Sequence, residues 1–137
     1  MTATLVAGLQ LPRFRRISVE PISGACGCEI GGVDLRQPLE AEVLAEIMLA
    51  FEHFLVILFR DQDLTPEQHK AFTRYFGEIT ELPQAPTYGD HADMQEVRRE
   101  AHEPENVVPS FENFHTDSPF LPRPPKCIVM RALDVPR

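Results

Sequence analysis

The spacing of apolar residues predicts a strand, a tight reversal and a helix in the first part of the chain. Alternation around Ile17 and Val19 predicts the strand. Four glycines between residues 24 and 32 predict a hairpin or a bulged strand pair after it. Apolar positions at helical spacing between residues 39 and 54 then predict a helix, with Pro38 at its first position. Its predicted exposed face carries Glu40, Glu42 and Glu46.

A second helix has the clearest start signal in the sequence. Thr65 offers a hydroxyl cap, Pro66 suits the first helical position, and Gln68 at the third position completes a capping box. Gly77 is predicted to end this helix. Its predicted apolar stripe consists of Ala71, Phe72, Tyr75 and Phe76.

Short apolar runs outside the helices predict further strands. The continuous run at residues 55–59 is typical of a buried strand. Residues 78–110 form a long polar loop, with one strand predicted around residues 94–99. Two more strands are predicted at residues 114–117 and 127–133, joined by a proline-rich connection. The pattern therefore predicts short strands and two helices, without an internal repeat.

Composition and charge narrow the classes of partner. The chain has 137 residues, of which 43% are hydrophobic and 25% charged, as in one globular domain with its own core. Its net charge of −8 argues against nucleic-acid binding, which needs clustered Lys and Arg. No apolar run reaches the roughly 18 residues that a membrane span needs. Nucleic acid and membrane are therefore not expected partners.

The N-terminus and the cysteines predict a cytoplasmic protein. Residues 1–16 are expected to be flexible, and their basic residues follow an apolar stretch, the reverse of a secretory signal. A transit peptide is the alternative, because the segment carries Arg and lacks acidic residues. Cys26, Cys28 and Cys127 are an odd set, unlike a secreted disulfide framework. We expect buried, reduced thiols; a soft-metal site at Cys26 and Cys28 would lack ligands.

His115 and Asp117 are the residues best suited to hold a metal. Residues i and i+2 of a strand face the same side, so the imidazole and the carboxylate are expected to converge. Such a pair supplies two ligands of the 2-His-1-carboxylate triad, which binds Fe(II) and leaves positions open for O2 and substrate. The pattern is common, and His91 and Asp93 form a second copy beside Gly89. We expect that second copy to lie in a solvated loop.

The other candidate residues receive less specific predictions. His53 and His69 lie on predicted helices, where we expect structural or surface roles. His102 is expected in a solvated loop. Asn113 shares the predicted strand face of His115, which makes it a candidate contact for substrate or cosubstrate.

Several motifs resemble the TauD/TfdA family of Fe(II)/2-oxoglutarate-dependent dioxygenases. The motifs are VDL at residues 33–35, FRDQDLTPEQ at 59–68, FGE at 76–78, HTD at 115–117, LPRPP at 121–125 and ALDVP at 132–136. Their order and spacing fit the N-terminal half of such enzymes from Ile17 onward.

The resemblance implies an α+β, mainly β fold. This fold is a partial double-stranded β-helix, or jelly roll, with flanking helices, and it is expected to be truncated. Residues 17–137 would form the N-terminal portion of a TauD/TfdA-like dioxygenase domain. The resemblance further implies that His115 and Asp117 ligate Fe(II). The implied partners are 2-oxoglutarate, O2 and a small organic substrate such as a sulfonate or carboxylate.

The chain also departs from the family pattern. Members of the family carry a second iron-binding histidine and an arginine for 2-oxoglutarate in their C-terminal half, which we expect beyond Arg137. Residues 81–84 lack the substrate-contacting histidine of taurine enzymes, so taurine itself is not the expected substrate. The alternative to an enzyme is a non-catalytic fragment or interaction module of the family. Because a jelly roll cut midway exposes strand edges, we expect self-association, either as aggregation or as a homo-oligomer formed by strand exchange.

Overall fold

A computed structural model describes residues 12–24, 26–81, 87–97 and 115–134. The chain divides between Tyr75 and Phe76 into a first unit and a second unit. The second unit contains β4 (Thr87–Tyr88) and β5 (His91–Gln95). The first unit contains β1 (Ser18–Pro21), β2 (Cys28–Gly31), α1 (Ala41–Phe54), β3 (Ile57–Leu58) and α2 (Pro66–Thr73).

The first unit is built on a three-stranded mixed sheet in which β2 lies between β1 and β3. β1 and β2 are antiparallel, with Val19 opposite Ile30 and Pro21 opposite Cys28. β3 runs parallel to β2 and pairs Ile57 with Cys28. Because side chains alternate along a strand, this register puts all five of these residues on one face of the sheet. The predicted hairpin is confirmed.

The core of the first unit lies between α1 and this face. The buried residues of the helix are Ile47, Ala50 and Phe54, which share one side of the helix because they are three and four positions apart. On the sheet, Cys28 and Ile30 are buried. Ile47 and Cys28 are the largest side chains that are fully buried. Burying a side chain the size of Ile47 contributes about 1.5–3 kcal/mol to stability.

α1 starts later than its sequence pattern predicts. The helix begins at Ala41, so Pro38 is not its first residue. The preceding backbone is held by the tertiary fold, since the N–H of Leu39 donates a hydrogen bond to the hydroxyl of Tyr75 at 3.0 Å. Glu40 is accordingly extended, with φ −63° and ψ 149°.

The side chain of Glu46 ties the start of the described chain to α1. Its carboxylate accepts hydrogen bonds from the backbone N–H groups of Arg15 and Arg16 at 2.9 Å each and of Ile17 at 3.2 Å. Desolvation raises the pKa of this carboxyl group, but the hydrogen bonds outweigh it, and the net pKa lies below its usual value. Glu46 is therefore a structural acceptor rather than a member of a solvated face.

β3 is shorter and more exposed than predicted. The apolar run at residues 55–59 contributes only two residues to the strand, and Leu55 and Val56 are 66% and 49% exposed. The N–H of Val56 donates to the carbonyl of Phe54 at 2.8 Å, across a Leu55 backbone with φ 66°. This γ-turn ends α1 and occupies residues that a longer strand would need. The prediction of a strand is confirmed at Ile57–Leu58, and the prediction that it is buried is wrong.

α2 begins as predicted. The hydroxyl of Thr65 accepts from the N–H of Gln68 at 3.2 Å, and the Gln68 side chain accepts from the N–H of Thr65 at 2.8 Å. This is a complete capping box. The helix ends at Thr73 rather than at the predicted Gly77, because a tighter turn closed on the carbonyl of Phe72 follows it.

Gln62 links two of the motifs that characterise the sequence. Its side-chain oxygen accepts from the N–H of Leu35 at 2.9 Å. Its side-chain nitrogen donates to the carbonyls of Val33 at 3.1 Å and Arg60 at 3.0 Å. The VDL segment at residues 33–35 and the loop after β3 are thereby joined, so these motifs build the first unit.

The second unit has little regular structure in the ranges described. β4 and β5 form an antiparallel hairpin, with Gly89 at φ 56° in its turn. The strand predicted around residues 94–99 instead begins at His91 and ends at Gln95. Residues 115–117 and 127–133 were predicted to lie in strands, but residues 115–134 contain only turns, bends and chain without regular secondary structure. A strand requires a ladder, and no ladder among the described residues includes them.

Two further expectations concern a jelly-roll architecture and a membrane-spanning helix. The paired strands of a jelly roll are not among the described elements, so that architecture stays a prediction. No helix in the described ranges combines the length and the apolar character needed to cross a membrane.

Candidate metal centre

His115 and Asp117 lie side by side in the second unit. The Nε2 atom of His115 and the Oδ1 atom of Asp117 are 3.5 Å apart, and the two side chains are 42% and 47% exposed. The side chains converge as expected, although residues 115–117 are not in a strand. The pair presents an imidazole nitrogen and a carboxylate oxygen on an accessible surface.

The backbone turns sharply immediately after this pair. Ser118 has φ 49°, and its carbonyl accepts a hydrogen bond from the N–H of Leu121 at 3.1 Å. Pro119 occupies the second position of the resulting β-turn, where its fixed φ is favourable. Ser118 is also buried, unlike every other residue described between 115 and 134. Ser118 is not among the residues predicted for the site, and the sequence signal for its turn is the proline that follows it.

The donor pair fits part of the coordination sphere of a divalent metal. Two donors held at right angles, each about 2.1 Å from one ion, are about 3.0 Å apart. The observed separation of 3.5 Å is close to this value. In the described ranges, no three His, Cys, Asp or Glu side chains come together as a metal site. The described residues therefore fit the metal as two of its ligands.

The second His-x-Asp copy has a different setting from the one predicted. His91 and Asp93 lie on β5, two positions apart and hence on one face, rather than in a solvated loop. The turn is made by Gly89 and Asp90, so the strand begins directly after it. The ring of His91 is stacked with that of Tyr88, with centroids 6.3 Å apart. The loop prediction is wrong, because β4 offers this segment a strand partner.

Other candidate residues are distributed over the chain. His53 lies on α1, with its ring edge-on to Phe54 at a centroid distance of 4.7 Å. His69 lies on α2, as predicted. Asn113 and His102 lie outside the described residues, so their roles stay predictions.

The three cysteines are free thiols in different environments. Cys28 is buried, as predicted, and desolvation raises its pKa to about 11, which makes it a poor nucleophile and metal ligand. Cys127 is half-buried, and burial raises its pKa as well. Cys26 is exposed, contrary to the prediction. Among the described residues, the thiols take part in no cluster of three potential metal ligands.

Comparison with known proteins places these features in a family. The family model described as "Taurine catabolism dioxygenase TauD, TfdA family" matches residues 18–137. The alpha-ketoglutarate-dependent 2,4-dichlorophenoxyacetate dioxygenase of Cupriavidus pinatubonensis is 27% identical over 136 residues, covering 88% of this chain and 46% of that protein. A solved structure assigned as an alpha-ketoglutarate-dependent taurine dioxygenase from Burkholderia xenovorans is 47% identical, with a TM-score of 0.53. That match covers 56% of this chain and 28% of the other.

The chain belongs to the TauD/TfdA family of Fe(II)/2-oxoglutarate-dependent dioxygenases. The resemblance seen in the sequence motifs is thereby confirmed. The chain spans about half the length of the curated relative that it matches.

Proposed function

We propose that this chain contributes two iron ligands, His115 and Asp117, to an Fe(II)/2-oxoglutarate-dependent dioxygenase that hydroxylates a small organic substrate. One observation carries the proposal. The imidazole Nε2 and the carboxylate Oδ1 approach to 3.5 Å, and they do so within a segment that the family model matches.

Each side chain has a distinct part in this site. His115 provides a nitrogen donor, and Asp117 provides an oxygen donor whose negative charge offsets part of the metal charge. Both side chains are partly exposed, which leaves their outer side open to a cosubstrate. Asn113 is proposed to contact substrate or cosubstrate. Bound Fe(II), together with 2-oxoglutarate and O2, supplies the chemistry that converts a C–H bond to C–OH while 2-oxoglutarate yields succinate and CO2.

The remaining parts of the proposed site come from the family resemblance. The second histidine ligand and the arginine for 2-oxoglutarate are proposed to belong to the C-terminal half of a jelly-roll domain whose N-terminal portion is residues 17–137. The alternative is a non-catalytic fragment or interaction module of the family.

The substrate class is proposed from the chemistry of the relatives. By their names, one relative acts on an aryloxy carboxylate and the other on a sulfonate. Both molecules carry an anionic carboxylate or sulfonate group, so we propose a small carboxylate or sulfonate here, with taurine itself as a less favoured member.

The test compares the 137-residue chain with a chimera. In the chimera, residues 18–134 replace the matching segment of the Burkholderia xenovorans relative, which supplies its own C-terminal half. Both proteins receive Fe(II), 2-oxoglutarate and a panel of carboxylates and sulfonates, and succinate formation is measured. We expect succinate from the chimera and from its Asp93→Ala variant, and none from its Asp117→Ala variant. The chain alone is expected to bind Fe(II) weakly and to form no succinate, since two ligands bind a metal less well than three.

Two results would contradict the proposal. A folded, metal-loaded chimera that forms no succinate with any substrate would support the non-catalytic alternative. A stoichiometric metal-to-ligand charge-transfer band in the anaerobic chain alone, followed by succinate on adding O2 and substrate, would show a complete site within these 137 residues.

A further inference from the structure

Ser118 has an unfavourable backbone conformation next to a proposed metal ligand. Its φ of 49° is one of three positive values at non-glycine positions in the described ranges. A Cβ atom crowds the neighbouring carbonyl in this region, so glycine adopts it most readily and asparagine or aspartate next. Serine gains no such advantage. The surrounding structure must therefore impose this conformation.

The contacts around Ser118 show how the conformation is held. The residue is buried, with 9% of its surface exposed. Its carbonyl accepts from the N–H of Leu121 at 3.1 Å, and Pro119 has its φ fixed by its ring. Two successive residues after Asp117 thus have restricted backbones and one of them is anchored by burial.

The His115 and Asp117 side chains need a backbone restraint of this kind because no strand among the described residues orients them. In a strand, pleating alone would turn His115 and Asp117 to one side. Residues 115–117 belong to no ladder among the described residues, yet the two donors lie 3.5 Å apart. The direction of the Asp117 side chain then depends on the backbone that continues from it.

We propose that Ser118 is a positioning residue that holds the Asp117 carboxylate toward His115 through its left-handed backbone and the turn that it begins. This inference rests on the proposed function, since it assigns Ser118 a role at the proposed iron site. It concerns the backbone of Ser118 and not its hydroxyl. A role of the side chain, through the hydroxyl or through filled space, makes different predictions.

The test is a series of Ser118 variants of the full 137-residue chain with Co(II) alone as the probe. Co(II) replaces Fe(II) without air oxidation, and its visible absorption reports its ligands. We expect Ser118→Gly and Ser118→Ala to keep the Co(II) dissociation constant within about twofold, because glycine adopts a positive φ without a Cβ penalty and alanine carries the same unbranched Cβ as serine. Ser118→Val, whose branched side chain is strongly disfavoured there, is expected to weaken binding about tenfold. Equal weakening in Ser118→Gly and Ser118→Val would overturn the proposal in favour of a side-chain role.

A metal-free measurement separates positioning from general destabilisation. Hydrogen exchange at the Leu121 N–H reports the turn directly, because this group donates to Ser118. We expect faster exchange in Ser118→Val and unchanged exchange in Ser118→Ala. If the turn opens in Ser118→Val while Co(II) affinity and spectrum stay unchanged, the turn does not position the ligand and the proposal fails.

The control variants are His115→Ala and Asp117→Ala. Both are expected to lose the Co(II) spectrum. If they bind Co(II) as tightly as the unchanged chain, the proposed iron site is wrong and the role of Ser118 falls with it. If His115→Ala and Asp117→Ala lose Co(II) binding while all Ser118 variants bind Co(II) equally, the proposed iron site is supported and only the role of Ser118 is wrong.

Discussion

The two units of this chain differ in how many buried side chains they contain and in which of them carries the proposed metal ligands. The first unit has a three-stranded sheet, two helices and fully buried side chains such as Ile47 and Cys28. The second unit contains the proposed ligands, but its described part has a single hairpin and one buried residue, Ser118. Regions with few buried apolar contacts open at low free-energy cost. In the described part of the second unit, the candidate site is therefore supported by local backbone geometry and by the burial of Ser118.

The two units also differ in the exposure of their apolar side chains. In the second unit, Phe120 and Met130 are 81% and 75% exposed. Ile128 and Leu133 are also exposed, in a segment that the sequence predicts as a strand. Exposed apolar side chains are typical of surfaces that pack against further protein when they form a contiguous patch. The expected self-association of the chain stays a prediction consistent with this surface.

The largest expected effect is the loss of metal binding on changing the proposed carboxylate ligand. Asp117→Ala is expected to weaken Co(II) binding more than about 100-fold, since removing a direct ligand costs more than removing a group that only supports one. It is expected to change the free energy of unfolding by less than about 0.5 kcal/mol, because Asp117 is not buried. A Co(II) absorption titration and urea unfolding measure the two effects. The matched control is Asp93→Ala, and equal losses of binding in both variants would refute the choice of His115 and Asp117.

The next effect concerns the stability of the first unit rather than metal binding. Ile47→Ala removes a fully buried side chain from α1 and is expected to lower the free energy of unfolding by about 2–5 kcal/mol. Ile128→Ala in the second unit is the control of the same residue type, and its exposure predicts a loss below about 1 kcal/mol. Urea denaturation followed by circular dichroism measures both. Similar losses would show that the second unit has a core of comparable weight.

A smaller effect of opposite sign is expected at the junction of α1 and β3. Leu55 is exposed and has a positive φ, so Leu55→Gly is expected to stabilise the chain by about 1 kcal/mol through relief of backbone strain. Leu49→Gly, within the same helix, is the control and is expected to destabilise by about 1 kcal/mol. The midpoint of urea unfolding reports both changes. Destabilisation by both variants would mean that the Leu55 side chain matters more than its backbone.

The smallest effect is a pH dependence at Glu46. Its pKa is lower in the folded chain than its ordinary value of 4.5, so its stabilising effect is complete above that pH and is lost as the pH falls through the folded pKa. Glu46→Gln is expected to lower the melting temperature at pH 7 by about 1–2 °C. It is also expected to make the decline of stability in acid shallower. Glu52→Gln on the same helix is the control, and an identical acid profile in both variants would contradict the role of Glu46.

Short-range signals in the sequence determined a large part of the first unit. The capping box of Thr65 and Gln68 predicted the start of α2 because its two hydrogen bonds join residues only three positions apart. The alternation of β1 and the glycines after it predicted the hairpin for the same reason. The pairing of His115 with Asp117 was also predicted, since two positions separate them.

The tertiary structure decided everything that depends on a distant partner. The segment before α1 is held by a hydrogen bond from Leu39 to the distant Tyr75, and the role of Glu46 follows from backbone donors about 30 positions away. Whether an extended segment becomes a strand depends on a neighbouring ladder, which His91 has and the described part around His115 lacks. Ser118 adopts a positive φ against its own preference. Local sequence encodes what a segment favours, and only the packed chain supplies the partners that confirm or override it.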